Sequence, residues 1–363
     1  MQQAWDGLDP SRVWDSHAHL IGTGDSGSGI VVHPSMGSLL DPAQYARRLF
    51  FLNAGCAHEA PGNVDRAYVE RMRNLVDGMR PGLKLLLYAF DRAHDEHGEP
   101  DMQGSAFYVP DSYARDIARA HPQYFEWAAS IHPYARDCAE RLEQARWEGA
   151  RAVKWLPSAM GIDPASPRCD AFYAAMTKAG IALITHAGEE RAVLGRAQHE
   201  FGNPLRLRRA LDAGVRVVVA HCASMGEDRD LDKGPAAQYV ESFSLFTRLM
   251  REKRYERNLY GDISAVTQVN RAGPVLVRIL EEEAWHARLL NGSDYPLPGL
   301  MPVFSVDYLV SLKLVPQSAG SVLKEIRLHN PLLFDFVLKR ALRSNGKTFA
   351  TSVFETRRFF DPL

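Results

Sequence analysis

The chain has 363 residues, of which 46% are hydrophobic and 24% charged, with a formal net charge of −1 at pH 7. That length fits one large barrel or two ordinary domains. The balanced charge excludes a global field for nucleic acid or an anionic membrane, and no apolar run is long enough to span a bilayer.

The opening Met-Gln-Gln-Ala-Trp-Asp has neither a basic nor an apolar leader region, so no signal peptide is expected. Cys56, Cys138, Cys169 and Cys222 show no CxxC pairing and read as free thiols in a reducing cytosol, which predicts a cytoplasmic protein. Residues 12–20, Arg-Val-Trp-Asp-Ser-His-Ala-His-Leu, form the first short apolar run, a strand closed by His17 and His19. Residues 22–29, rich in glycine, lack both the Gly-Lys-Ser/Thr ending and the GxGxxG spacing, and predict a flexible loop. Helices are expected over 42–54 and 64–79, then a nearly continuous apolar strand over 83–90. The polar stretch 91–111 reads as a lid or binding loop.

A rhythm of helix and strand follows. Helix 112–120 precedes strand 126–134, helix 137–148 precedes strand 150–156, and helix 169–179 precedes strand 181–187. Helices over 204–213, 236–252 and 273–283 precede strands over 215–223, 259–265 and 288–295. Strands alternating with helices imply a parallel sheet with right-handed crossovers. Eight such units fit an α/β fold of the (β/α)8 TIM-barrel type, one domain over 1–363 with long βα loops. An open doubly wound sheet is the alternative, without a dinucleotide fingerprint to support it. Residues 300–363 read as closing helices and a C-terminal tail of the same domain, polar from Ser344 onward.

In a barrel, the chemistry collects at the C-terminal strand ends. Residues two apart on a strand share a face, so His17 and His19 project together and suit two nitrogen ligands on one metal ion. Asp15 is expected on the same face. Strand four ends in Lys154, strand five in His186, strand six in His221 and strand eight in Asp294. Their joint occurrence at strand ends points to a metal site; unrelated buried polar groups are the alternative. Near the same ends, His132, Tyr134, Trp155, Ser158, Glu189 and Arg191 are candidates to line a substrate pocket. Arg92 is a candidate carboxylate clamp. Loop or packing roles are the alternative for each. Asp262 is read as a helper from strand seven or a structural hydrogen-bond partner. Cys222 should point away from His221, into the core.

The motifs Asp15-Ser-His17-Ala-His19, His186, His221 and Gly292-Ser-Asp294-Tyr-Pro296 resemble the amidohydrolase superfamily, and with Asn330-Pro331 its amidohydrolase-2 branch. The resemblance spans nearly the whole chain. It implies His17, His19 and His186 as metal ligands with Asp294 completing or flanking them, and Asp294 as general base toward a metal-activated water. It implies that His221 orients or polarises the substrate, or binds a second ion. Lys154 matches the lysine that binuclear members carboxylate as a metal bridge; a lysine paired with a carboxylate, or facing an anionic substrate, is the alternative. Asp15 would hold a histidine tautomer. The implied cofactor is Zn2+, one ion or two, with Mn2+ or Fe2+ allowed.

The leading expectation is a metal-dependent hydrolase of a small amide, lactone or ester. The competing one is metal-dependent non-oxidative decarboxylation of an unsaturated or aromatic acid, and the third a metal-stabilised binding protein. The expected partner is a small-molecule substrate, with no nucleic acid, no membrane and a homodimer allowed.

Overall fold

Each of the eight apolar runs forms a strand, in a computed structural model that describes residues 2–95, 97–193, 195–234 and 236–361. Among the described residues these are β1 (Trp14–His19), β2 (Lys84–Tyr88), β3 (Phe125–Ala128), β4 (Ala152–Trp155), β5 (Ala182–Thr185), β6 (Val217–Val219), β7 (Leu259–Asp262) and β8 (Leu289–Leu290). Strands β1 to β3 pair in sequence order, as do β4 to β8, all parallel. Parallel bridges join the two runs, Ala129 to Val153 and Ala18 to Tyr295. The strands thus run as a ring in chain order, the topology of a (β/α)8 barrel.

Side-chain alternation divides the core into two layers. Trp14, Leu86, Ala128, Ala152, Ile184, Val218 and Leu290 pack together inside the ring, with Tyr260 partly buried against them. The opposite residues, such as Leu85, Val153, Leu183, Val217 and Leu259, join the larger cluster between strands and helices. The helices are those the periodicity predicts, including Pro42–Ala54, Val64–Asp77, Asp111–Ala120, Cys138–Trp147, Asp170–Ala179 and Pro274–Glu281. No helix is long and apolar enough to cross a membrane among the described residues.

The strands are shorter than the apolar runs because the chain turns where the runs become loops. After β6, His221, Cys222 and Ala223 adopt φ of 54°, 51° and 49°, a left-handed conformation that side chains other than glycine seldom take. Three other features depart from expectation. The helix expected over 236–252 begins only at Ser242, because Tyr239–Glu241 pairs antiparallel with Glu227–Arg229. The glycine-rich loop is tied down: the buried Asp65 carboxylate accepts the N–H of Thr23 at 2.6 Å and of Gly24 at 3.1 Å. Asp25 in turn accepts the Val64 N–H at 2.9 Å, at the start of the next helix.

The third departure is the tail. Composition makes it look polar, yet Phe359 and Phe360 are buried inside the ring. Phe360 stacks on Trp14 at 5.9 Å and Phe359 meets Tyr260 edge-on at 4.7 Å. Thr356 Oγ1 donates to the Trp14 carbonyl at 2.6 Å. The tail therefore covers the N-terminal mouth of the barrel, opposite the strand ends that carry the histidines. Helix Pro331–Ala341 braces that other end through buried Lys339, whose Nζ donates to Asp335 Oδ2 and to the Gly292 carbonyl, both at 2.6 Å.

Phe360→Ala is expected to lower unfolding free energy by about 3–5 kcal/mol, read from urea denaturation, because truncating a buried phenylalanine leaves a cavity. A change under about 1 kcal/mol would show that the tail does not plug the barrel.

Candidate metal centre

The pairing of β1 with β2 slips between Asp15 and Ala18. That irregularity resets the alternation, so His17 and His19 face the barrel's axis while Ala18 faces the outer core. Asp15 is not on the histidine face. Its Oδ1 accepts the backbone N–H of His17 at 3.1 Å and of Ser293 at 2.8 Å, stitching β1 to the turn after β8. That turn brings in Asp294, with φ of 61°. Gly292 makes room for it: a Cβ there would sit 2.5 Å from the His17 Cβ.

Three donor atoms converge. His17 Nε2 and His19 Nε2 are 3.2 Å apart, and Asp294 Oδ1 lies 3.0 Å from the latter and 3.4 Å from the former. His221 Nε2 is 3.8 Å from Asp294 Oδ2, and its ring stacks near that of His17 at 5.1 Å. His17, His221 and Asp294 each offer an atom within 4.8 Å of the others. Asp262 fixes the tautomer: its Oδ2 accepts from His17 Nδ1 at 2.8 Å, which leaves the Nε2 lone pair facing Asp294. A lone pair and a carboxylate oxygen facing each other in a buried space repel, and a cation between them resolves the repulsion. The 3.0–3.4 Å spacings are those of ligands each about 2.0–2.2 Å from one ion. The residues therefore fit a metal ion.

Asp262 also accepts the backbone N–H of His221 at 2.8 Å and of Ser264 at 3.0 Å, and the Ser264 hydroxyl bonds the same carboxylate. Ser264 Oγ lies 2.8 Å from His221 Nδ1. His186 is not drawn into the donor triangle. Its Nε2 faces Glu190 Oε2 at 3.3 Å, and its buried Nδ1 has no hydrogen-bond partner among the described residues. The structure thus sets His221 closer to Asp294 and His17 than it sets His186, because the left-handed turn after β6 folds His221 inward.

Burial holds the imidazoles of His17, His186 and His221 well below their usual range, with Lys154 adding to this at all three. Neutral imidazoles are the form that binds metals. Burial opposes the charge on Asp294, yet His17, His19 and Lys154 overcome it and hold the carboxyl below its ordinary value. Lys154 lies on β4 with its Nζ 4.9 Å from the centre of the Tyr88 ring. Burial pushes its ammonium down to about 8, against the pull of Asp262, Asp294 and Glu190.

These residues floor a cavity of about 170 Å³. Its walls are mostly apolar, among them Ile30, Phe51, Phe90 and Phe107, with Glu190, Arg191, Gln268, Asn270, Arg271 and Arg48 as the polar exceptions. Among the residues expected at a substrate pocket, Arg191 lines it and the others do not. Trp155 follows Lys154 on β4, so alternation sends it outward against Phe172 and Tyr173. The His132 N–H is held by Asp91 and its ring stacks on His94 at 4.2 Å, away from the cavity. Tyr134 lies under Arg168, and Arg92 sits 3.6 Å over the Tyr108 ring instead of reaching in. Glu189 turns out to the exposed side of Arg191. Cys222 faces the core, its thiol on the Asp262 carbonyl. Two buried groups, Glu190 and Arg271, carried no sequence motif. Glu190 sits one residue past the predicted Glu189, and Arg271 lies in a turn with no periodicity.

Asp262→Asn is expected to weaken Zn2+ binding about ten- to a hundredfold in competition with a chelator, since the amide cannot hold both His17 Nδ1–H and the turn around His221. Unchanged affinity would remove Asp262 from the centre.

The amidohydrolase family model matches residues 14–310. No curated protein matches the sequence significantly. Among solved structures the chain is similar to the manganese-bound 5-carboxyvanillate decarboxylase of Novosphingobium aromaticivorans, with 11% identity, a TM-score of 0.54 and coverage of 96% of this chain and 97% of that one. It is also similar to a TIM-barrel protein of Bordetella bronchiseptica, with 17% identity, a TM-score of 0.49 and coverage of 90% and 98%. At 11% identity the likeness to the decarboxylase speaks to the barrel fold, whereas the family match spans most of the sequence, from the first strand past the eighth: the chain belongs to the amidohydrolase family, in its amidohydrolase-2 branch.

Proposed function

We propose that the chain is a metal-dependent hydrolase that cleaves a small amide, lactone or ester with an activated water. The observation that carries this reading is the triangle of His17 Nε2, His19 Nε2 and Asp294 Oδ1 at the floor of an apolar cavity. These three residues would hold a divalent ion, which would supply Lewis acidity toward a substrate oxygen and toward water. The two-nitrogen, one-carboxylate set suits zinc, with manganese and iron(II) as the alternatives.

Asp294 keeps its charge and turns Oδ2 toward His221, so it can take a proton from the attacking water and return it to the leaving group. His221, held at Nδ1 by Ser264, points Nε2 toward Asp294 and is poised to orient the substrate. The apolar walls exclude bulk water and so strengthen each charge interaction at the floor. In this reading Lys154 remains an amine beside a single ion. Non-oxidative decarboxylation is the second reading. One observation favours it: the buried Lys154 nitrogen at the cavity floor can face a substrate carboxylate or donate a proton to carbon.

Asp294→Asn is expected to lower kcat by about 10²–10⁴-fold on a responsive ester or lactone, measured with saturating Zn2+ because the same carboxylate offers a ligand atom. Full activity in that variant would overturn the role of Asp294. Metal analysis is expected to give about one ion per chain in both the wild type and Lys154→Ala. Two ions falling to one in the variant would replace the single-ion reading with a bridged pair. Release of CO2 from ring acids, without turnover of esters, lactones or amides, would move the assignment to decarboxylation.

A further inference from the structure

Lys339 is fully buried on helix Pro331–Ala341, far in sequence from the strand ends, yet its ammonium reaches the frame of the metal centre. Its Nζ donates to the Gly292 carbonyl at 2.6 Å and to Asp335 Oδ2, one helical turn earlier, at 2.6 Å. The other Asp335 oxygen, Oδ1, is buried without a hydrogen-bond partner among the described residues. A buried ion pair adds little stability over well-packed apolar side chains of similar volume, and an unsatisfied carboxylate oxygen lowers its worth further. Stability alone therefore does not account for the pair. What it delivers is a charged N–H aimed at one main-chain carbonyl, two residues before Asp294.

The turn after β8 is otherwise bonded to β1. Ser16 N–H donates to the Asn291 carbonyl at 3.0 Å, Asp294 N–H to the His17 carbonyl at 2.8 Å and His19 N–H to the Tyr295 carbonyl at 2.9 Å. The Gly292 carbonyl goes instead to Lys339, so the turn is held from β1 and from the helix behind it. Asp294 then takes its φ of 61°, a conformation that persists where the surroundings over-determine it. The helix is a fixed platform for that grip. At its start Asn330 Nδ2 donates to the Leu75 carbonyl at 2.7 Å, and near its end Arg340 Nε donates to the Ala4 carbonyl at 2.8 Å. It lies beyond residue 310, where the family match stops.

We propose that Lys339, oriented by Asp335, is a positioning residue that fixes the turn carrying Asp294, and so sets the affinity of the centre for its ion and the aim of the Asp294 carboxylate. A carboxylate offers a ligand atom at the right place only while its backbone is held, and groups behind metal ligands act in this way. The role rests on Asp294 acting at the metal centre, as proposed above, but on neither the hydrolytic nor the decarboxylating chemistry.

The test compares the wild type with the double variant Asp335→Leu/Lys339→Met, which replaces both partners by apolar side chains. Urea unfolding without metal is expected to keep its midpoint within about 0.5 M of the wild type's. Zn2+ affinity, read by competition with a chelator, is nevertheless expected to fall about ten- to a hundredfold. With Co2+ in the centre, the visible absorption bands are expected to shift, because the ligand angles follow the turn. Lys339→Gln can still donate to Asp335 but is one bond shorter; it carries the same expectation for both metals and serves if the double variant is unstable. Wild-type Zn2+ affinity with unshifted Co2+ bands in a folded variant would show that the pair only packs the helix, and would overturn the proposal. A wild type that binds no Zn2+ would remove the centre on which the role depends. Failure of every ester and lactone to turn over, with the difference in Zn2+ affinity intact, would instead remove the hydrolase reading and leave the role of Lys339 standing.

Discussion

One carboxylate ties the centre together. Asp262, at the end of β7, takes the Nδ1–H of His17 from β1, the backbone N–H of His221 after β6 and the Ser264 N–H beyond its own strand. Those three elements lie far apart in sequence, and the residue sets the tautomer of one imidazole and the position of another. Buried charge-assisted hydrogen bonds are the strong kind, because low dielectric raises their strength and leaves no water to replace them. The donor triangle follows from that bond, since His17 Nε2 is free for a metal only while Asp262 holds Nδ1.

The barrel around it is arranged so that one mouth is sealed and the other stays open. Phe359 and Phe360 fill the N-terminal mouth against Trp14 and Tyr260. At the other, Lys339 grips the Gly292 carbonyl behind Asp294, and Asp15 fastens β1 to Ser293. The strained residues cluster there: Asp294, His221, Cys222 and Ala265 all have positive φ. Such conformations persist where the surroundings over-determine them, and they gather at functional sites. The close-packed ring supplies that determination.

The cavity walls show why substrate recognition separates from the metal centre. The centre is built from strand ends, whose direction the alternation dictates. The walls come from the pinned glycine-rich loop, helix Pro42–Ala54 and the turns after β5, β7 and β8. Each is set by bonds specific to this chain, such as Asp65 on the Thr23 and Gly24 N–H groups. A family can keep the floor and change the walls, which is how one barrel serves many substrates.

All eight strands were legible in the sequence because each is an apolar run bounded by turn residues, and buried parallel strands need that pattern. His17, His19, Lys154, His221 and Asp294 were legible because they end such runs, and a barrel directs strand ends to one face. Three-dimensional contacts alone decided the rest. The slip in β1 moved Asp15 off the histidine face and passed its expected partner role to Asp262. Alternation past Lys154 turned Trp155 outward, and a cation–π contact drew Arg92 onto Tyr108. The buried roles of Glu190, Arg271, Phe359 and Phe360 depend on partners distant in the chain. Local pattern fixes which residues a strand presents, whereas pairing register and long-range contacts determine what those residues meet.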